Sequence, residues 1–316
     1  MLFLGIDTSA YTSSVAIVNH KKELVMEKRK VLEVRMGERG LAQSEALFKH
    51  LQVLPRLLDF IPSDYWSRIK CLGVSIAPRP VEGSYMPVFT PGYAIASSLA
   101  SALGVKLFLS THQEGHLAAG LASVTSHLPF PLLALHVSGG TTELLIVNKT
   151  DPGKLKIQIL GGTTDLHAGQ FIDRVGVSLG LPFPAGKELE KLALKAAPGA
   201  ASLLPSSVKG YKMSFSGVET AAQRLIRSQK KPADVARAVE SCVARTLAKV
   251  LEKAIRETNL EKILVVGGVA ANMFIRTELE KKLEKAQFFW ALPEWSTDNA
   301  IGVAFLTEEA YQAGVC

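Results

Sequence analysis

The chain has 316 residues, 47% of them hydrophobic, enough for a substantial core and, at this length, for about two domains. A formal charge of +7 and a pI near 9.2 permit an anionic partner such as RNA without establishing one. Cys71, Cys242 and Cys316 are widely spaced, odd in number and form no CxxC pair, so a reducing, cytoplasmic compartment is expected.

The first apolar run, Leu2 to Ile6, has no basic leader and is interrupted by Asp7, which reads as a strand and not as a signal peptide. It meets the small polar turn Asp7-Thr8-Ser9 and a second run, Ser14 to Val18. A third strand over 24–31 follows the turn Asn19 to Lys22. A helix is expected at 41–60, a strand at 70–76, a helix at 92–103 and a strand at 105–109. The stretch Tyr93 to Leu109 is broken by Ser97, Ser98, Ser101 and Lys106, short of the roughly 18–20 apolar residues that a membrane span needs.

The chain then opens again in the same way. Leu132 to Val137 meets Ser138-Gly139-Gly140-Thr141-Thr142 and a partner run, Leu144 to Val147, with a third strand at 155–160 after a turn over 148–153. Helices are expected at 187–197, 217–228 and 233–257, a strand at 263–266, and helices at 271–285 and 298–313. Hairpin turns rich in small hydroxyl and glycine residues let backbone N–H groups approach phosphate oxygens. Two of them predict a duplicated α/β architecture with a nucleotide between two halves.

Several segments carry candidate chemistry. Gly267-Gly268-Val269-Ala270-Ala271-Asn272 follows an apolar strand and opens a helix, a turn that brings a phosphate or a flat ligand close to the backbone. It is equally the form of a tight strand–helix turn. His112 and His116 stand four apart in His-Gln-Glu-Gly-His, so on a helix both project from one face and can share a metal. The pattern is not a zincin, because Gln113 occupies the general-base position. Asp298 is the candidate third ligand, read at the start of the last helix with Ser296 or Thr297 as cap; its bland alternative is a first-turn acid. Asp173, ahead of Pro182-Phe183-Pro184-Ala185-Gly186, is a candidate for ribose hydroxyls, with room for a base beside Ala185 and Gly186. Arg224, Arg227, Lys230 and Lys231 form either an RNA-facing or a solvated basic face.

Taken together, Gly5 to Ser9, the His112/His116 pair, Val137 to Gly140, Ser214 to Gly217, Gly267 to Asn272 followed by Arg276, and Thr297 to Asn299 resemble the tRNA threonylcarbamoyladenosine synthase catalytic-subunit family, formerly the O-sialoglycoprotein endopeptidases. The resemblance covers nearly the whole chain. It implies a duplicated actin-like ATPase (ribonuclease-H-like) fold, with one lobe at 1–128 plus 299–316, the other at 129–298, and a nucleotide and metal cleft between them. It implies metal ligands at His112, His116 and Asp298, with iron or zinc. It implies a nucleotide-phosphate or substrate loop at His136, Val137, Ser138, Gly139 and Gly140, adenosine contacts at Asp173, Gly186 and Asn272, further nucleotide-side residues at Gly267 and Gly268, and a phosphate-side hairpin at Asp7, Thr8 and Ser9. The implied reaction moves a threonylcarbamoyl group from its adenylate to the adenosine beside the tRNA anticodon. ATP, ADP or the acyl-adenylate is the implied ligand, and a paralogous accessory subunit and an ATPase subunit are the implied partners.

The chain departs from the family pattern in places. Ala10-Tyr11-Thr12-Ser13 replaces an acidic pair, Thr141 a histidine, Leu166 an aspartate and Gln170 a glutamate. The usual Gly-Pro-Gly-Leu loop is Pro78-Arg79-Pro80-Val81-Glu82-Gly83 and is longer, and Lys212 and Glu219 stand where Asp and Lys are usual. This is the pattern of a divergent bacterial paralogue. It sets the transferase reading beside two others: a nucleotide-binding partner protein without transfer activity, and a metal-dependent carbamoyltransferase with a small-molecule acceptor.

Overall fold

The computed structural model describes residues 1–9, 11–34, 41–124 and 128–316. The first half runs β1 (Leu2–Thr8), β2 (Thr12–Asn19), β3 (Leu24–Val31), α1 (Gln43–Leu58), α2 (Ser63–Trp66), β4 (Ile69–Ser75), α3 (Thr90–Leu103), β5 (Lys106–Ser110) and α4 (His112–Ser123). The second runs β6 (Leu132–Val137), β7 (Thr142–Asp151), β8 (Lys154–Thr163), α5 (Ala168–Ser178), α6 (Gly186–Ala193), β9 (Val208–Lys209), β10 (Lys212–Met213), α7 (Ser216–Arg227), α8 (Pro232–Thr258), β11 (Lys262–Val266), α9 (Met273–Lys282), β12 (Gln287–Trp290), α10 (Pro293–Ser296) and α11 (Ile301–Gln312).

The two sheets repeat one plan. Their orders are β3-β2-β1-β4-β5 and β12-β11-β6-β7-β8-β10-β9. In the first, β1 pairs antiparallel with β2 and parallel with β4; in the second, β6 pairs antiparallel with β7 and parallel with β11. The hairpin and the parallel strands are therefore duplicated, as the two openings predict.

Strand periodicity explains how β1 serves two layers. Leu2, Leu4 and Ile6 pack with Leu54, Leu57, Ala96 and Ala100 of α1 and α3. The alternate residue Phe3 packs with Ile301, Ala304 and Phe305 of α11 on the opposite face. Asp7 continues the Phe3 and Gly5 set, so it emerges on the face covered by α11. Glycine permits this close layering. A Cβ at Gly5 would lie 2.5 Å from the Ala304 nitrogen, and one at Gly302 would overlap the Gly115 carbonyl where α11 crosses α4.

Some boundaries differ from expectation. Asp7 and Thr8 belong to β1 rather than to a turn, because the ladder continues through Asp7↔Ser14 and Thr8↔Ser13. Residues 268–271 form a single 3-10 turn, and α9 starts at Met273 because the Asn272 side chain accepts from the Ile275 N–H. The last helix starts at Ile301, not 298: the Asn299 Oδ1 accepts the Ile301 N–H, while Ser296 donates to the Ala291 and Leu292 carbonyls. Asp298 is thus outside the helix. The expected helix at 187–197 is α6, which ends at Ala193. Apolar periodicity alone does not mark α4 and α5. Cys71 on β4 and Cys316 are paired, with Cα atoms 6.6 Å apart, a contact to which their spacing in the sequence gives no clue; Cys242 is buried and free. No described helix is long and apolar enough to cross a membrane. Ala10, within the departure after Ser9, lies outside the described residues.

The α4–α11 crossing is tight enough to predict that Gly302→Ala lowers stability by about 2–3 kcal/mol, the scale of core overpacking. Denaturant unfolding of the variant measures it, and an unchanged midpoint would contradict the packing.

Candidate active site

Residue 112 opens α4 because Thr111 caps it. The Glu114 N–H donates to Thr111 Oγ1 at 3.3 Å, and the Glu114 carboxylate accepts the Thr111 N–H at 2.9 Å. This reciprocal box gives Glu114 a structural task. One turn later His116 lies on the same face as His112. Asp298 arrives from the segment between α10 and α11. That segment is held by Arg29, which donates to Thr297 Oγ1 at 2.8 Å and to the Glu294 carbonyl at 2.9 Å.

The three side chains converge. His112 Nε2 and His116 Nε2 are 3.1 Å apart, and Asp298 Oδ1 lies 3.2 Å from His116 Nε2 and 3.5 Å from His112 Nε2. Ligand atoms of a tetrahedral metal site with bonds near 2.0–2.1 Å lie about 3.3 Å apart. Around this cluster, the first hairpin supplies the support. His112 Nδ1 donates to Asp7 Oδ1 at 3.0 Å, which leaves Nε2 as the inward-facing nitrogen. Ser75 donates to the same Asp7 oxygen, and Ser9 donates to Asp298 Oδ2 at 2.8 Å. Asp7 and Ser9 therefore turn toward the cluster. The Thr8 hydroxyl is buried beside Gly92.

Charges respond strongly to this arrangement. Burial opposes an imidazolium at His112, but the Asp7 and Asp298 carboxylates outweigh it and push its pKa up to about 10. Burial likewise opposes the Asp298 carboxylate, and hydrogen bonds from His112 and His116 outweigh that and hold it well below the usual range. With His112 Nδ1–H committed to Asp7, two imidazole lone pairs and a carboxylate oxygen face one point. A cation belongs there, either a proton or a metal ion. Two nitrogens and one oxygen that leave a position open suit zinc or ferrous iron. His136 on β6 is different. Burial, aided by the His116 and His112 charges, pushes its pKa well below the usual value, and its ring centroid is 4.7 Å from that of His116.

The nucleotide-side residues lie mostly on the second half. Gly139 and Asp173 line one pocket with Tyr11, Gln170, Arg174, Val177 and Phe183. A Cβ at Gly139, Gly140 or Gly268 would meet nothing within 4 Å, so all three leave room beside the backbone. Gly267 serves packing: its φ is +96°, and a Cβ would press on the Val137 carbonyl. Ser138 Oγ accepts the Gly140 and Thr141 N–H groups at 3.2 and 3.0 Å. Asp173 accepts the Ala185 N–H at 2.7 Å just ahead of Gly186, and burial raises it to about 6. Asn272 is largely spent on structure, since it caps α9 and donates to Glu240 Oε1 at 2.8 Å. Arg224, Arg227, Lys230 and Lys231 are exposed along and after α7.

Two arrangements were not foreseen. Asp165 accepts from Ser214 Oγ at 2.6 Å, Ser216 Oγ at 2.5 Å and the Phe215 N–H at 2.8 Å. Burial opposes its charge, but these donors outweigh it and hold Asp165 below the carboxylate range. Glu143 on β7 accepts from Gln113 Nε2 at 2.6 Å and pairs with Arg79 at 3.0 Å. Only the serine-phenylalanine motif and the altered loop signalled anything at these positions.

A family model for tRNA N6-adenosine threonylcarbamoyltransferase matches residues 32–305. The chain belongs to this family. A relative of that name from Thermosipho africanus is 30% identical over 100% of this chain and 96% of its own length. One from Thermus thermophilus is 32% identical over 99% and 94%. Solved structures share the fold at low identity. The activator of 2-hydroxyisocaproyl-CoA dehydratase from Clostridium difficile, with bound ADPNP, aligns over 99% of this chain and 96% of its own, with a TM-score of 0.56 and 14% identity. HypF of T. kodakarensis gives 0.60 and 15% over 98% of this chain and 48% of its own. The fold is the duplicated actin-like ATPase type, and the threonylcarbamoyltransferase family makes the chain an enzyme of the transferase class that acts on tRNA.

The pair that fixes Asn272 carries a pH signature. Glu240 is fully buried, and burial raises its pKa to about 7 against the offsetting Asn272 amide and Arg237. The folded protein thus holds this proton more tightly than the unfolded chain does. The contribution is complete below the ordinary pKa, and about 3 kcal/mol is lost as pH rises through 7. Glu240→Gln is expected to flatten the fall in unfolding free energy between pH 5 and 8; a fall as steep as that of the parent protein would refute the assignment.

Proposed function

We propose that the chain transfers a threonylcarbamoyl group from threonylcarbamoyl-adenylate to the adenosine beside the tRNA anticodon, assisted by one divalent ion, iron or zinc. The observation that carries this is the convergence of His112, His116 and Asp298, whose ligand atoms all lie within 4.8 Å of one another. A bound divalent ion at that point supplies Lewis-acid polarisation of a carbonyl or phosphate oxygen.

The chain's own residues prepare the reaction around it. Asp7 fixes the His112 tautomer, and Ser9 fixes the Asp298 carboxylate. His136, Val137 and the Ser138-Gly139-Gly140 turn frame the substrate side, and Gly139 and Gly140 leave open space beside the backbone there. Asp173, Gly186 and the open sides of Gly139 and Gly268 favour an adenosine moiety, whether ATP, ADP or the acyl-adenylate. Asn272 supports the same region as the cap of α9 and not through a free amide. We assign the lobes as 1–128 with 299–316, and 129–298, since α11 packs on β1 and β4 of the first sheet. The exposed basic residues of α7 are a candidate tRNA contact. A paralogous accessory subunit and an ATPase subunit are the proposed partners, and the cytoplasm the proposed location.

The test combines the purified protein with metal, threonylcarbamoyl-adenylate, tRNA and the family's partner proteins. Modified tRNA is expected; no product where another family member works would overturn the proposal. His112→Ala is expected to abolish stoichiometric metal binding and to lower transfer by at least about 100-fold, the scale of losing a metal-positioning group. Unchanged metal content would remove the site.

A further inference from the structure

Two basic side chains that the metal reading does not use stand together beside it. His136 follows Leu132 and Ala134 on the face of β6 that packs toward α4. It is 1% exposed, and neither ring nitrogen has a hydrogen-bond partner. An imidazole always carries at least one N–H donor, and burying it unmatched is costly. A polar group is missing from its surroundings.

The neighbours indicate which kind. His136 is the cross-strand partner of Glu143, so the two share a face with Cβ atoms about 5 Å apart. Glu143 holds Arg79 Nη1 at 3.0 Å and Gln113 Nε2 at 2.6 Å, which anchors the guanidinium one side chain away from His136. A guanidinium has five N–H donors, and this pairing leaves most of them. His167 stands over the same turn, because the next residues dock on it. The Ala168 N–H donates to Thr142 Oγ1 at 2.9 Å, and the Gly169 N–H to the Ser138 carbonyl at 3.1 Å. His167 is the half-buried N-cap of α5, and its backbone N–H donates to Gln170 Oε1 at 3.2 Å. A fully buried imidazole without partners and an anchored guanidinium, beside a turn where Gly139 leaves open space, are complementary to an oxyanion.

We infer that Arg79 and His136 form an oxyanion subsite beside the metal cluster, which takes the carboxylate or the phosphoryl oxygens of the acyl donor. The inference rests on the reading of this cleft as the donor site, and it adds the groups that recognise the donor's charge.

Calorimetric titration of the purified full chain with N-carbamoyl-L-threonine and with AMP tests it. The first probe offers a carboxylate and the second a phosphate. The variants are His136→Leu and the double change Arg79→Gln with Glu143→Gln, which avoids leaving Glu143 buried and unpaired. At least one probe is expected to bind the parent protein, and the double variant to bind it at least tenfold more weakly with unchanged metal content and melting temperature. His136→Leu is expected to weaken it several-fold. Loss confined to one probe assigns the subsite to that end of the donor. Variants that bind like the parent, or a parent that binds neither probe, would overturn the inference. A failed transfer assay with these affinity losses intact would sink the transfer reading alone, whereas transfer with an unchanged donor KM in the double variant would sink the subsite alone.

Discussion

Two imidazole nitrogens and a carboxylate oxygen held 3.1–3.5 Å apart cannot all present lone pairs to one another without a cation among them. Much of the first half is arranged to keep them there. The histidines come from α4, whose start is fixed by the Thr111–Glu114 box. The carboxylate comes from the far end of the chain, and α11 brings it back only because Gly302 lets α11 press on Gly115 of α4. Asp7 and Ser9 of the first hairpin hold one ligand each. A shift of any of these elements by an ångström would separate the ligand atoms, so the packing and the site are a single constraint.

The second half meets this cluster through β6, the counterpart of β1. In β1 the residue that ends the α11-facing row is Asp7, and it supports a ligand. In β6 the residue that ends the α4-facing row is His136, and it stands beside a ligand without a partner of its own. The same topological position thus delivers a fixed charge from one half and an unmatched imidazole from the other.

The duplication was legible in the sequence because each hairpin alternates apolar runs around small turn residues. The histidine pair was legible because a four-residue spacing has one meaning on a helix. Asp298 is legible as a residue but reads as the first turn of a helix, since sequence alone does not show that the Asn299 side chain takes the Ile301 N–H and that α11 begins only there. Asp7 was found for the wrong reason: a polar residue after an apolar run looks like a turn, whereas the ladder continues through Asp7↔Ser14. Asp165, Glu143 and Arg79 are invisible as a site in the sequence because their contacts join segments 49–64 residues apart, and no local pattern encodes that. Asn272, singled out by its motif, also caps α9 and donates to Glu240, a structural task that no local pattern announces.

Two of the departures from the family pattern, Tyr11 and Arg79, change the charge lining the cleft in the same direction once these contacts are placed. Tyr11 stands where an acid is usual, and it walls the Asp173 pocket with its ring centroid 6.0 Å from that of Phe183. Burial, reinforced by the Asp173 charge, raises its pKa, so it remains a neutral phenol. Arg79 occupies the altered loop and brings a positive charge to Glu143. An acid has gone from one wall of the cleft and a base has come to another, while the metal-type ligands are intact. Coulomb's law makes both changes favour a more anionic occupant at unchanged geometry. A chain that had merely lost its activity would be expected to shed the costly buried charges first. Here His112, His116, Asp7 and Asp298 are all retained around one point, and the substitutions lie outside that cluster.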